Sequence, residues 1–407
     1  MVAAPRLGKK ENTFAPDLSG EAFPELLKAV AIYGPNATGK SNLLRALDVV
    51  ASIAKSEPTT HPEPLPVAPF RFDPGLAGKP SVFELHFIRS GMRYSYELAV
   101  TSTRVVAERL ASYPKGQDEL IYERRYDGSN ETYTFGPSLS AEANVDVTDA
   151  WKKLTSPTSL FIARAVANSS GEMRILRAPF DWLSDSSLFL MNGMKHLASR
   201  SQVLLREGYG AEEISSFLSE LDIPVTKVTV ELIDQEPPMR SSGLGGLSQA
   251  TSEGLSSARR ARRYKTRLTH GTALGESDIS YDDESEGTKN LFGFWLPWFS
   301  KDLDQDGARC LLLVDEIDSS LHPKIVEALV ARHLKSPRVS QLIFTTHDTH
   351  LMDSKLLRRD QIWITERDAN GATQLRSIHD FKGRESEDIE KRYYEGRYRG
   401  LPLTIKG

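Results

Sequence analysis

The sequence predicts an α/β fold with a mostly parallel core sheet, an antiparallel β subdomain and a helical arm or lid inserted before the core is completed. Three observations predict it. An apolar run from Leu26 to Tyr33 leads into Gly34-Pro35-Asn36-Ala37-Thr38-Gly39-Lys40-Ser41 and then a helical pattern through Leu43, Leu44, Leu47 and Val50. Far downstream, Cys310 to Val314 reads as a second buried strand ending in Asp315-Glu316, and Leu342 to Phe344 as a third with His347 just beyond it. Between these stretches lie segments whose apolar residues alternate as in half-buried strands, followed by helical patterns.

The first stretch is strand, glycine loop and helix in the order of a phosphate-binding loop, G-x-x-x-x-G-K-[ST]. Gly34 and Gly39 let backbone amides curl around phosphate oxygens, and Asn36 lies within the same loop. Lys40 supplies a cation for the outer phosphates, and the Ser41 hydroxyl suits a Mg²⁺ ion. The plain alternative is a glycine turn before a helix. A proline-rich connector over 57–69 follows. Residues 81–100 then alternate on both sides of Ser90-Gly91, which predicts an antiparallel hairpin. VVAERLASY and DELIYERRYDG extend it, so 66–135 reads as the antiparallel β subdomain.

Residues 136–270 read as the arm or lid. The helical patterns of 141–220 are followed by a Gly/Ser-rich stretch and a basic run containing Arg259, Arg260, Arg262, Arg263, Lys265 and Arg267. That run suits a nucleic acid or another acidic partner, and equally a solvated edge. Residues 271–407 form the closing lobe and 1–65 the opening one.

Within the closing lobe, DESEGTKNLFGF (283–294) reads as a helix start. Ser285 is placed as N-cap with Thr288 in the first turn, and Pro297 should kink or end the helix after about three turns. The exposed amides near Ser285 and Gly287 form an anion site, or else simply the capped end of a core helix. In VDEIDSSLHP, Asp315 suits Mg²⁺ through its water shell, and Glu316 suits the orientation or deprotonation of an attacking water. His347 faces the same sheet edge, where a histidine bonds a terminal phosphate oxygen or the water, or caps a loop. Asp348 and His350 lack a convincing third ligand for a metal site.

Bulk properties bound these readings. With 407 residues the chain can hold two or three domains, or one large domain with insertions. Charged residues make up 26% and hydrophobic ones 39%, as in soluble globular proteins. The net charge of −4 excludes an overall basic field, though not a local patch. The one cysteine, Cys310, excludes a disulfide framework and a cysteine-based metal site, and reads as a small buried hydrophobe in a reducing cytoplasm. MVAAPRLGKKENTF has no apolar signal region and no stretch reaches membrane-span length, so a cytoplasmic protein with no membrane partner is expected.

The order of these motifs resembles the ABC/SMC/RecF-like class of P-loop ATPases, which implies a head-like fold with ATP and Mg²⁺ as cofactors. In that class the signature helix meets the γ-phosphate bound on a second subunit. The resemblance thus implies a homodimer or higher homo-oligomer, with Ser285 and Gly287 as the trans half of the site and Ser319 and Ser320 in the dimer-crossing loop. GPNATGKSNLL, TSPTSLF, DESEGTK, VDEIDSSLHP, QLIFTTHD and LLRRDQIW further resemble the bacterial RloA-like AAA-family ATPases of restriction-linked, abortive-infection and anti-phage operons. EKRYYEGRYRGLP fits that group's closing pattern, so the likeness runs from about Glu25 to Pro402. It implies an ATPase subunit that controls a separately encoded effector, a nuclease of Toprim type or a toxin, with nucleic acid or a phage protein as a further candidate partner.

The chain departs from that group twice. No Asn-Phe-Arg-Ser-Phe-like segment precedes the Leu26 run, which leaves the adenine-side contacts unassigned and admits a shortened start. No Q-loop glutamine is assigned, although PFRFDP (69–74) occupies that part of the chain. Other function classes remain open beside an ATPase: a scaffold that holds ATP with little turnover, and a DNA-binding repair ATPase of SMC or RecF type. No heptad run supports a long coiled-coil arm.

Overall fold

The computed structural model describes residues 1–56, 63–169, 173–185, 187–190, 194–233, 263–299, 311–336, 340–352, 355–384 and 387–400. Cys310 and the basic residues Arg259, Arg260 and Arg262 lie outside the described residues. The chain divides into two units, Met1–Met191 with Asp302–Gly407, and Asn192–Lys301.

The first unit opens with a short antiparallel pair, β1 (Thr13–Phe14) and β2 (Leu26–Leu27). Strand β3 (Ala29–Tyr33) is buried at every position, as a strand in the middle of a covered parallel sheet must be. Helix α1 (Lys40–Lys55) leaves the glycine loop directly and buries Leu44, Val50 and Ile53.

Strands β4 (Ser81–Arg89) and β5 (Met92–Val100) form the expected hairpin. Ser90 and Gly91 both take positive φ, 52° and 75°, so the two-residue turn matches the twist of its strands. β6 (Val105–Ser112), β7 (Glu119–Tyr126) and β8 (Glu131–Phe135) continue it into a five-stranded antiparallel sheet in chain order. Helices α2 (Pro137–Glu142), α3 (Val145–Leu154), α4 (Phe161–Ala167) and α5 (Arg174–Asp185) follow. Tyr96, Leu98 and Tyr122 of the sheet, Trp151, Phe161 and Leu183 of the helices, and Val50 and Ile53 of α1 belong to one buried cluster. Arg164 Nη2 donates to the Ser56 carbonyl at 2.8 Å, tying the end of α1 to α4. The motif TSPTSLF acquires a structural role here, because the carbonyls of Ser156 and Ser159 wrap the buried Arg124 guanidinium at 3.1 and 2.8 Å. Strand β9 (Ser187–Leu190) then joins the core sheet beside the strand that leads into Asp315.

The second unit contains α6 (Met194–Arg206), α7 (Ala211–Glu220), β10 (Val225–Ile233), β11 (Arg263–Thr272), β12 (Gly275–Ser280) and α8 (Glu286–Phe299). Its three strands form one antiparallel sheet, and α8 extends two residues past Pro297.

Strand β13 (Leu311–Val314), α9 (Pro323–Lys335), β14 (Gln341–Thr345), β15 (Ile362–Arg367), β16 (Thr373–Ser377) and α10 (Ile389–Tyr394) complete the first unit. The six-stranded core sheet runs β16-β15-β3-β14-β13-β9, parallel throughout except for the β15–β16 pair. LLRRDQIW anchors the first residues of the chain to it. Arg358 donates to the Ala4 and Gly8 carbonyls and pairs with Asp360, while Asn12 donates to Gln361, which donates to Ala29 at the start of β3. Among the described residues no helix is long and apolar enough to cross a membrane.

At the same end of β3, Lys28 Nζ donates to the Leu334 carbonyl near the end of α9, and His333 Nε2 donates to the Lys28 carbonyl at 3.1 Å. Burial pushes the His333 imidazole down from 6.5 to about 4, against the pull of backbone hydrogen bonds to Lys28 and Ser340. The unfolded chain therefore binds a proton that the folded chain refuses between about pH 6.5 and 4, and stability falls as the pH is lowered through that window. The loss should reach about 3 kcal/mol by pH 4 and be absent above pH 7. Urea unfolding of wild type and His333→Leu across this range checks it. The variant should lose that part of the pH slope, and an unchanged slope would remove the assignment.

Candidate functional site

The loop between β3 and α1 owes its shape to local sterics. Ala37 and Gly39 both take positive φ, 62° and 95°. A side chain on Gly39 would collide with the Thr373 hydroxyl, so only glycine fits there. Thr373 Oγ1 donates to the Thr38 carbonyl at 2.8 Å, and the Thr38 hydroxyl meets Thr365 Oγ1 at 2.7 Å. Thr365 Oγ1 also donates to the Tyr33 carbonyl at 3.0 Å and packs against buried Gly34. Three threonines from β15, β16 and the loop thus hold the curl. The amides of Ala37, Gly39, Lys40 and Ser41 have no acceptor among the described residues, and together they form a concave N–H surface suited to an anion. Asn36 is exposed at the rim, and Ser41 is half-buried at the second position of α1.

Lys40 is buried and folds back onto the loop, donating to the Gly34 carbonyl at 2.8 Å and the Pro35 carbonyl at 3.1 Å. Burial lowers its pKa from the ordinary lysine value, while the carboxylates of Asp315, Glu316 and Asp318 pull it upward. These carboxylates come from the end of β13, two strands away from β3, a separation of about 10 Å. The parallel order places both strand ends on one edge of the sheet, where α/β folds bind ligands.

Thr345, the last residue of β14, organises that edge. Its hydroxyl donates to Asp315 Oδ1 at 2.6 Å and accepts the Glu316 amide at 2.7 Å. Glu316 sits at φ 51°, an uncommon conformation for a non-glycine residue, with its side chain exposed beyond the strand end. Asp318 Oδ2 accepts the His347 amide at 3.2 Å, so the exposed His347 is held by its backbone next to Glu316 and Asp318. Beyond it, His350 Nδ1 meets Asp348 Oδ1 at 2.9 Å.

Gly34, Asn36, Gly39, Lys40, Ser41, Asp315, Glu316 and His347 therefore share one sheet edge in the first unit. Ser285 and Gly287 lie in the second unit, at the start of α8. Ser285 is the N-cap of that helix, its Oγ accepting the Thr288 amide at 3.1 Å and meeting Thr288 Oγ1 at 2.9 Å. The amides of Glu286 and Gly287 have no acceptor among the described residues. Sequence reasoning missed Thr345, Thr365, Thr373 and Asp318. The paired threonines of QLIFTTHD were the available signal, since a hydroxyl at a strand end next to an acid reads as a bridging donor.

A family model described as "AAA domain, putative AbiEii toxin, Type IV TA system" matches residues 29–159 and 167–353. No curated protein matches the sequence. Among solved structures, a crystal structure of the SmcHead bound to the C-winged helix domain of ScpA is similar over 89% of this chain and 95% of that one, with 16% identity and a TM-score of 0.37.

Proposed function

The chain belongs to the AAA-domain family whose model it matches, and from that premise we propose that it binds and hydrolyses ATP as a subunit of a bacterial anti-phage or abortive-infection complex. The observation that carries this reading is the strand order β3-β14-β13, which sets Lys40, Asp315, Glu316 and His347 along one edge beside an amide-lined loop. In this reading the loop amides and Lys40 take the outer phosphates, the ammonium exchanging the Gly34 and Pro35 carbonyls for phosphate oxygens. Ser41 and Asp315, one hydroxyl and one carboxylate, fit a Mg²⁺ ion that keeps most of its waters and would neutralise charge on the phosphate oxygens. Glu316 accepts the proton of the water that attacks the γ-phosphorus, and ADP leaves as phosphate forms. His347 bonds a γ-phosphate oxygen from the side opposite the loop.

The second half of the site comes from another copy. The free Glu286 and Gly287 amides at the capped start of α8 meet the γ-phosphate held by the partner, and Ser319 and Ser320 run along the shared interface. Two heads then enclose two ATP molecules, and their closure is read out by a separately encoded nuclease or toxin. The matched family's description names a toxin of a toxin–antitoxin system, which supports a defence setting. Ser285→Arg tests the arrangement. Nucleotide binding by the isolated chain should be unchanged, while ATP-driven association seen by sedimentation should be lost; association that survives the change would remove α8 from the interface.

A further inference from the structure

We propose that Phe72 is the platform on which the adenine base of ATP stacks; the inference rests on the ATP reading above. The placement follows from which side of the glycine loop the nucleotide must leave. Asp315 and Glu316 directly follow β13, which with β14 lies to one side of β3. A triphosphate whose terminal phosphate faces those carboxylates runs back across the loop, so its ribose and base emerge on the other side, above β15 and β16.

The loop 69–74 supplies an aromatic ring there. Phe72 is 69% exposed, while Phe70 is half-buried and meets it edge-on at 5.6 Å. A lone exposed phenylalanine is ordinary; its surroundings are what give this one a use. The Phe72 ring lies against Gly371, in the turn between β15 and β16, where an added methyl would come within 3.3 Å of Cδ2. That turn is rigid, because Asp368 Oδ1 accepts the amides of Asn370 and Ala372, both at 2.9 Å. Two residues further on, Thr373 holds the Thr38 carbonyl of the glycine loop. The loop carrying Phe72 runs into a short helical turn that Asp73 caps by accepting the Gly75 amide at 2.8 Å. One rigid hairpin thus connects the phosphate loop to an open aromatic face on the side where a base emerges. This also fills the adenine-side contact that the N-terminal sequence leaves unassigned.

Stacking uses the face of the base and not its hydrogen-bonding edge, so Phe72 adds affinity for a nucleotide over bare triphosphate without choosing adenine over guanine. The test is calorimetric titration of the full chain with Mg-ATP, Mg-GTP and inorganic tripolyphosphate, in wild type, Phe72→Ala, Phe72→Tyr and Lys40→Ala. Phe72→Ala should weaken both nucleotides by about 5- to 150-fold and leave tripolyphosphate unchanged, with Phe72→Tyr close to wild type. Lys40→Ala should lose all three ligands. Unchanged nucleotide affinity in Phe72→Ala, or an equal loss for nucleotides and tripolyphosphate, would overturn the stacking role while leaving the ATP reading in place. A wild-type chain that binds none of the three would overturn both.

Discussion

Glu316→Gln is expected to bind ATP as tightly as wild type and to turn it over about 100- to 10,000-fold more slowly, the usual contribution of a positioned general base. The substitution keeps the side-chain shape and removes only the basic oxygen. The backbone interaction that fixes this residue, its amide donating to Thr345 Oγ1, does not involve the carboxylate. Asp315 keeps its own bond from Thr345. Lys40 loses one of three carboxylates in its surroundings, a change that favours an incoming polyphosphate slightly. Phosphate release and equilibrium nucleotide binding, measured on the same preparations, separate the two effects. Equal turnover in both proteins would remove Glu316 as the base and favour a scaffold that holds ATP without hydrolysis.

Glu108→Ala should be the most destabilising single change in the β subdomain. Glu108 is fully buried and its carboxylate is shared by four donors. Tyr96 and Tyr122 donate to Oε1 at 3.1 and 2.7 Å, and the Phe161 and Ile162 amides at the start of α4 donate at 2.7 and 3.3 Å. Arg124 stands 3.9 Å away, itself buried and paired with Glu131 at 2.8 Å. Removing the carboxylate uncaps α4, leaves two buried phenols without an acceptor and takes one anion from a buried guanidinium. The expected cost is about 3–5 kcal/mol in urea unfolding. The exposed Glu97, which pairs with Arg109 on the same sheet, is the comparison: Glu97→Ala should cost about 0–1 kcal/mol. Because Arg164 of α4 also holds the end of α1, loosening this cluster reaches the helix that carries Lys40 and Ser41. Equal stabilities for Glu108→Ala and Glu97→Ala would contradict the keystone role.

These two residues also show what a sequence discloses and what it hides. Glu316 follows a run of apolar residues, and its neighbour Asp315 and the glycine loop upstream have the spacings that a phosphate edge would need. The Ser90-Gly91 turn and the Ser285 cap were legible for the same reason, since each is dictated by local backbone chemistry. Glu108 lies in VVAERLASY, where alternation says that Glu108 and Arg109 face opposite ways without saying which face is inside. Arg124 and Arg125 pose the same ambiguity, and the structure buries the first and exposes the second. Ser187–Leu190 is a short apolar run that cannot be told from a helix segment, so its place beside β13 becomes visible only through long-range pairing. The three-stranded sheet of the second unit depends likewise on pairing across distant segments. The polar residues of LLRRDQIW carry no local sign of burial, yet they are buried because their partners include backbone groups far away in the chain. Interactions of that kind leave no local pattern.

The central claim is that two copies of this chain close around ATP. The measurement that tests it most directly is the solution mass of Glu316→Gln by light scattering, with and without Mg-ATP. Hydrolysis should be slowed in that variant while the loop, Asp315 and the start of α8 are untouched, so the closed state should accumulate. The account predicts a mass that doubles only when Mg-ATP is present. A mass that is the same with and without nucleotide, whether monomer or fixed multimer, would contradict it.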